Sequence, residues 1–110
     1  MSKRDDEAVL EDILAALERI MEYTVGMDSD TFLSDSKTQD AVIRNLEILG
    51  EAAKLLSTEA REMYPDIPWR DIAGTRDKLI HDYFGVNVDV VWGIVVNDLP
   101  KMLSELESIQ

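Results

Sequence analysis

Apolar residues recur every three or four positions along most of the chain, a spacing that predicts α-helices rather than strands. A first helix is predicted to start around Asp5 and Asp6, whose charges suit the positive end of a helix dipole, and to end near Gly26. Its predicted apolar positions are Val9, Ile13, Leu14, Leu17, Ile20 and Met21. Residues 27–34 show no clear period, and we predict a loop there.

A second helix is predicted to begin near Ser36 or Thr38 and to carry an unusually wide apolar arc. With a step of about 100° per residue, the arc covers about half of the helix. The centre of the arc is formed by Val42, Leu46, Leu49, Ala53 and Leu56, and its flank by Ala41, Ile48, Ala52 and Leu55. Packing against one neighbouring helix requires a narrower apolar arc. This helix is therefore predicted to pack on two sides, inside the domain and against a second subunit.

Two short helices are predicted next, because capping residues and prolines mark where helices begin and end in the following segment. Ser57 or Thr58 is predicted to cap a helix that stops before Pro65, and Pro68 to open another short turn through Ala73. A further helix is predicted over 76–84, with Gly85 as its carboxyl-terminal cap.

The last helix is predicted to start at Asn87 or Asp89 and to contain Pro100. Its apolar seam is Val88, Val91, Trp92, Val95, Leu99, Leu103 and Leu106. A proline inside a helix removes one backbone donor, which predicts a kink around 96–99. The sequence therefore predicts an all-α bundle of four to five helices with a kinked last helix, in a single domain over residues 1–110.

The amino-acid composition excludes several kinds of functional site. The 110 residues include no cysteine, which excludes disulfides, a thiolate nucleophile and zinc–thiolate sites, and favours a cytoplasmic protein. No apolar run approaches the length of a membrane span. The net charge of −12 argues against non-specific attachment to nucleic acid, so any such contact must be local. The acidic charge suits a basic partner protein, and solubility alone explains it equally well.

The candidate chemistry lies in the predicted helix 76–84. Arg76 falls in the middle of its apolar face, where a permanent charge needs a carboxylate, a helix end or a bound phosphate. Asp77 and His81 are four residues apart, so the carboxylate can orient the imidazole. The alternatives are an arginine in an internal ion pair and an ordinary packed histidine.

Several blocks of sequence resemble one family. The pattern Arg76, four residues, His81, one residue, Tyr83 resembles the Arg-x4-His-x-Tyr motif of HepT-like toxins, which are HEPN domains. Residues 41–53, 64–74 and 92–100 are similar to other blocks of that family in the same order. The motif alone is weakly specific, whereas the four blocks together are highly specific.

The resemblance implies a HEPN-type bundle that forms a homodimer, with two copies of the motif in one cleft. It also implies a ribonuclease that needs neither metal nor cofactor, in which Arg76 and His81 are catalytic. By the same resemblance, Tyr83 is where a nucleotidyltransferase antitoxin adds adenylyl groups; an interface aromatic is the alternative. Asp77 would support the site, although the family commonly has asparagine or another polar residue there.

Outside the motif, Asn45 falls within the apolar arc of the second helix, so its amide needs a hydrogen-bond partner, and it could brace the motif. Trp69 and Trp92 are predicted to be core anchors. Two functions stay open: an RNA-cleaving toxin, and a non-catalytic helical subunit that binds a nucleotidyltransferase or a nucleotide. A metal-binding bundle would need paired histidine ligands that the chain lacks.

Overall fold

The computed structural model of the chain describes residues 3–74 and 87–107, and within these ranges the only regular secondary structure is helical. The helices are α1 (Lys3–Thr24), α2 (Ser29–Leu33), α3 (Ser36–Leu55), α4 (Thr58–Met63), α5 (69–74), α6 (Val88–Gly93) and α7 (Leu99–Glu107), with a π-helical turn (Ile94–Asp98) between α6 and α7. The all-α prediction is confirmed. The predicted helix 76–84 lies outside the described residues.

Helix starts follow the local capping chemistry. Asp35, Ser57 and Asn87 cap α3, α4 and the last helix, and each side chain accepts a hydrogen bond from a backbone amide of the first turn. Gly26, two residues after α1 ends, has a φ of 76°, a left-handed conformation that glycine adopts without strain.

The loop prediction for residues 27–34 is wrong, because α2 lies within this segment. Asp28 and Thr31 form a capping box: the Asp28 carboxylate accepts from the Thr31 amide at 2.8 Å, and the Thr31 hydroxyl accepts from the Asp28 amide at 2.9 Å. Phe32 is fully buried and stacks on Trp92, with ring centroids 5.0 Å apart. The capping box and the buried Phe32 therefore stabilise a helix of five residues whose apolar residues show no helical period.

The core lies mainly between α1, α3 and the last helix. α1 packs along α3 and also contacts α7, while α2 bridges α3 and α6. On α3 the buried side is formed by Val42, Leu46, Leu49 and Ala53, as the wheel predicts, whereas Leu55 on the flank is 53% exposed. The core-anchor prediction holds for both tryptophans: Trp69 is buried, and Trp92 is partly buried against the core.

The last helix is kinked as predicted. Its helical turn widens over Ile94–Asp98, and the amide of Leu99 donates to the Ile94 carbonyl five residues back. Pro100, directly after this turn, has no amide to donate, which accounts for a departure from regular α-helical bonding at this point. Val91 before the turn, Val95 within it, and Leu99 and Leu106 after it are the buried residues of the predicted seam.

Candidate functional site

Arg76, Asp77, His81 and Tyr83, the candidate site residues of the motif, lie outside the described residues. Their catalytic, supporting and modification roles therefore stay predictions. The described chain does fix the two elements that border the motif in sequence, α5 before it and α6 after it.

α5 is anchored by its first residue. Trp69 is buried, and its indole Nε1 donates to the Tyr64 carbonyl at 3.1 Å. Ile67 and Ile72 on either side of it are also buried. After the motif, the Asn87 side chain accepts from the amides of Asp89 and Val90 at 3.0 and 3.3 Å, which fixes the start of α6.

A small apolar cavity of about 130 Å³ lies among α3, α5 and the last helix. Leu46, Leu49, Ile72, Ile94, Leu99 and Met102 supply its apolar lining, and Asp71 and Asp98 are its acidic lining residues. The π-helical turn forms part of one wall. Elements on both sides of the motif in sequence thus meet in space.

Asn45 is the one candidate site residue that the structure describes. It is 5% exposed; its Oδ1 accepts from Arg19 Nε at 2.8 Å, and its Nδ2 donates to the Ala41 carbonyl at 2.9 Å. Both hydrogen bonds meet the predicted need of Asn45 for partners, and the bond with Arg19 joins α3 to α1. Whether Asn45 also braces the motif stays a prediction.

Sequence reasoning did not identify Arg19, which shares this hydrogen bond and lines an open groove between α1 and α3. Arg44, Glu47 and Glu51 line the same groove. The position of Asn45 on an apolar arc indicates that its amide needs a hydrogen-bond partner. It does not indicate which helix supplies that partner.

Three described carboxylates have a lowered pKa, and all three act as hydrogen-bond acceptors at helix starts. The hydroxyl and amide of Ser57 hold the pKa of Asp6 below 3.8, and those of Thr31 do the same for Asp28. The Thr38 amide and hydroxyl lower the pKa of Asp35. Asp28 and Asp35 are helix N-caps, and Asp6 binds the N-cap residue of α4, so all three carboxylates have structural roles.

Among residues 3–74 and 87–107, no group of three or more histidine, aspartate or glutamate side chains is placed to hold a metal ion. None of the helices in these ranges is long and apolar enough to cross a membrane.

Comparison with known proteins identifies the family. The family model described as ribonuclease HepT-like matches residues 13–109, and the chain belongs to this HepT-like ribonuclease family. "Putative RNase MJ0127" of Methanocaldococcus jannaschii is 48% identical over 109 residues, which cover 99% of this chain and 90% of that protein. "Probable ribonuclease HepT" of Thermococcus cleftensis is 47% identical over 108 residues, 98% of both chains.

A bacterial relative shows the same likeness. "Putative RNase TTE0752" of Caldanaerobacter subterraneus is 41% identical over 100 residues, which cover 91% of this chain and 89% of the relative. No solved structure matched the chain.

Proposed function

We propose that this protein is a metal-independent endoribonuclease that acts as the toxin of a toxin–antitoxin pair in the cytoplasm. The observation that carries the proposal is the family match over residues 13–109, which includes an Arg-x4-His-x-Tyr motif at positions 76–83. The likeness to relatives named as ribonucleases over nearly the whole chain supports the activity. The absence of cysteine supports a reducing compartment.

The proposed reaction is attack by the ribose 2′-hydroxyl on the adjacent phosphorus. His81 accepts the hydroxyl proton, since imidazole titrates near neutral pH. A new P–O2′ bond forms as the P–O5′ bond breaks, and the departing 5′-oxygen takes up a proton from the imidazolium, which restores neutral imidazole. Arg76 holds the phosphate through its planar fork and offsets charge in the transition state. The products are a 2′,3′-cyclic phosphate and a free 5′-hydroxyl.

We propose that a homodimer carries out this division of work. Arg76 and His81 are five positions apart in the sequence, which is about 140° on an ideal helix, so a single ideal helix would not present both side chains to the same point. If two copies bring their motifs to a shared cleft, each can supply what the other lacks. Asp77 would orient the imidazole or raise its pKa, and Asn45 would support the helix from α3.

We propose that a nucleotidyltransferase antitoxin inhibits the ribonuclease by modifying Tyr83. An adenylyl group on its hydroxyl adds bulk and a phosphate charge two residues from His81. Phosphate carries negative charge at neutral pH, so it would repel the RNA backbone from the cleft. Such a modification would silence the toxin without unfolding it.

The alternative is a non-catalytic subunit that binds a nucleotidyltransferase or a nucleotide. The net charge of −12 favours it, because RNA is strongly anionic and this chain has only 11 lysines and arginines against 23 acidic residues. Under the ribonuclease proposal, RNA must be held by a few local cations.

Purified wild-type protein, His81→Ala and Arg76→Ala should be incubated with a mixed RNA substrate in EDTA, and the new ends analysed. We expect cleavage by the wild type alone, with 2′,3′-cyclic phosphate ends. Lys101→Glu, an exposed change on α7, is the matched control and should cleave normally. Equal cleavage by His81→Ala would point to a contaminating nuclease. No cleavage by the wild type, together with harmless expression in cells, would favour the non-catalytic subunit.

A further inference from the structure

The cavity among α3, α5 and the last helix has mostly apolar walls. Leu46 and Leu49 of α3, Ile72 of α5, and Leu99 and Met102 of the last helix line it, and all five are buried. Its volume of about 130 Å³ is close to the roughly 150 Å³ at which an apolar protein cavity stays dry and binds benzene. The space therefore suits one small apolar group better than it suits water.

The π-helical turn builds one wall of this cavity. Ile94 and Leu99, five residues apart, are joined by a backbone hydrogen bond across the turn, and both line the cavity. In a regular α-helix, residues five apart point about 140° away from each other. The wider turn brings both to one side, together with Asp98. Such turns within helices occur frequently at functional sites, which is an indication of binding independent of the cavity volume.

The charged residues of the described lining are both acidic. Asp71 of α5 and Asp98 of the π-helical turn are exposed, whereas most of the apolar lining is buried, so the two carboxylates stand at the mouth. No basic side chain is among the lining residues that the structure describes. A cationic group at the mouth would be attracted there, and a phosphate would be repelled.

We propose that this cavity is a binding site for a small organic amine. The apolar body of the ligand, about the size of a benzene ring, fills the cavity, and its ammonium group lies at the mouth beside Asp98 and Asp71. The site contains no residue of the motif and does not depend on the proposed ribonuclease activity. Because α5 and the last helix both supply walls, a bound amine would connect the two elements that border the motif in sequence.

The size and charge of the site select this occupant over others. A nucleotide or an RNA strand would bring phosphate against two carboxylates, and its base and sugar together exceed the volume of the cavity. A neutral apolar molecule of the same size would contact the same walls but gain nothing at the mouth. The ligand class can therefore be tested with probes that share one ring and differ only in charge.

The test titrates the full chain, with labelled Ile, Leu and Met methyl groups, with benzylammonium, benzyl alcohol and benzoate at neutral pH. We expect saturable NMR shifts at the methyls of Leu49, Ile72, Ile94 and Met102. Benzylammonium should bind about threefold to tenfold more tightly than benzyl alcohol, since an exposed ion pair contributes modestly. Benzoate should bind most weakly.

Three variants connect these affinities to the site. Asp98→Asn should lower the preference for benzylammonium, and Asp71→Asn combined with Asp98→Asn should abolish it, with the Kd for benzyl alcohol unchanged. Asp89→Asn, an exposed change on the last helix outside the cavity lining, is the matched control and should bind like wild type. Ile94→Phe should fill the cavity and weaken all three probes, with circular dichroism as the check of its fold.

The outcomes separate the site from its ligand class. If no probe gives saturable shifts at the lining methyls, there is no binding site in the cavity and the proposal is overturned. If benzyl alcohol binds as tightly as benzylammonium, or if the preference persists when both carboxylates are replaced, the assignment to an amine is wrong. Loss of the preference in the exposed carboxylate variants, which leave the apolar walls intact, supports the proposal even if Ile94→Phe does not fold.

Discussion

Asp6, in the first turns of α1, accepts two hydrogen bonds from Ser57, 51 residues further along the chain. Its Oδ1 accepts from the Ser57 amide at 3.0 Å, and its Oδ2 accepts from the Ser57 hydroxyl at 2.6 Å. The same hydroxyl accepts from the Ala60 amide and caps α4. One buried carboxylate therefore links the start of α1 to the turn between α3 and α4.

Asp6→Asn should lower the melting temperature at neutral pH, because a neutral amide is a weaker acceptor than a carboxylate. The Ser57 bonds lower the pKa of Asp6 below 3.8, so this stabilisation is present above that pH and is lost as pH falls through the lower folded pKa. Thermal melts of both proteins should therefore differ by a constant amount above about pH 5 and converge in stronger acid. Glu7→Gln, an exposed neighbour, should follow wild type throughout; a difference between wild type and Asp6→Asn that persists in acid would contradict the assignment.

Phe32→Ala should destabilise the protein by about 3–5 kcal/mol, since the ring is fully buried and stacks on Trp92. Urea unfolding followed by circular dichroism measures this loss. Leu33→Ala is the matched control, because Leu33 is 40% exposed and should cost far less. Equal effects of the two substitutions would mean that α2 is not anchored through Phe32.

Asn45→Ala should cost about 1–3 kcal/mol, because it removes the acceptor of the Arg19 bond from a partly buried site. A double-mutant cycle with Arg19→Ala, measured by urea unfolding, isolates the coupling of the pair. Asp40→Ala, exposed on the same helix, controls for the loss of a polar side chain. Additive effects of the two substitutions would refute the coupling. If Asn45 also supports the motif, Asn45→Ala should lower RNA cleavage at temperatures where the variant is fully folded.

Tyr83→Phe should keep the proposed ribonuclease active while blocking its control. Phenylalanine retains the ring but has no hydroxyl for an adenylyl group. After co-expression with the cognate nucleotidyltransferase, mass spectrometry of the wild type should show one or more adenylyl groups and the variant none. Wild-type protein that stays unmodified, or a variant that is still modified, would exclude Tyr83 as the acceptor.

Local rules explain how far the sequence anticipated the fold. The starts of α3 and α4 and of the last helix follow from Asp35, Ser57 and Asn87, whose side chains cap the adjacent turns. The bend before Pro100 follows from a missing donor. α2 was missed because five residues are too few to show a period, and Phe32 is fixed by Trp92, 60 residues later.

Local sequence rules do not identify hydrogen-bond partners that are distant in the sequence. Asp6 suits the start of α1 by its charge, but nothing near it in sequence indicates Ser57. Asn45 similarly signals a need for a partner, while the choice of Arg19 depends on how α1 packs on α3. For the candidate site, the motif was identified by resemblance, and the described structure adds the elements that border it.

Trp69 and Trp92 stand on opposite sides of the motif in sequence and in different surroundings. Trp69 is buried with its indole bonded to the Tyr64 carbonyl, whereas Trp92 is partly exposed and stacked on Phe32. Their intrinsic fluorescence should therefore differ, with Trp69 the more shielded from aqueous quenchers. Replacing either one by phenylalanine leaves a single tryptophan, which can be excited selectively over the three tyrosines. The chain therefore carries its own unlabelled optical probe on each side of the segment where RNA, nucleotide or antitoxin is proposed to bind.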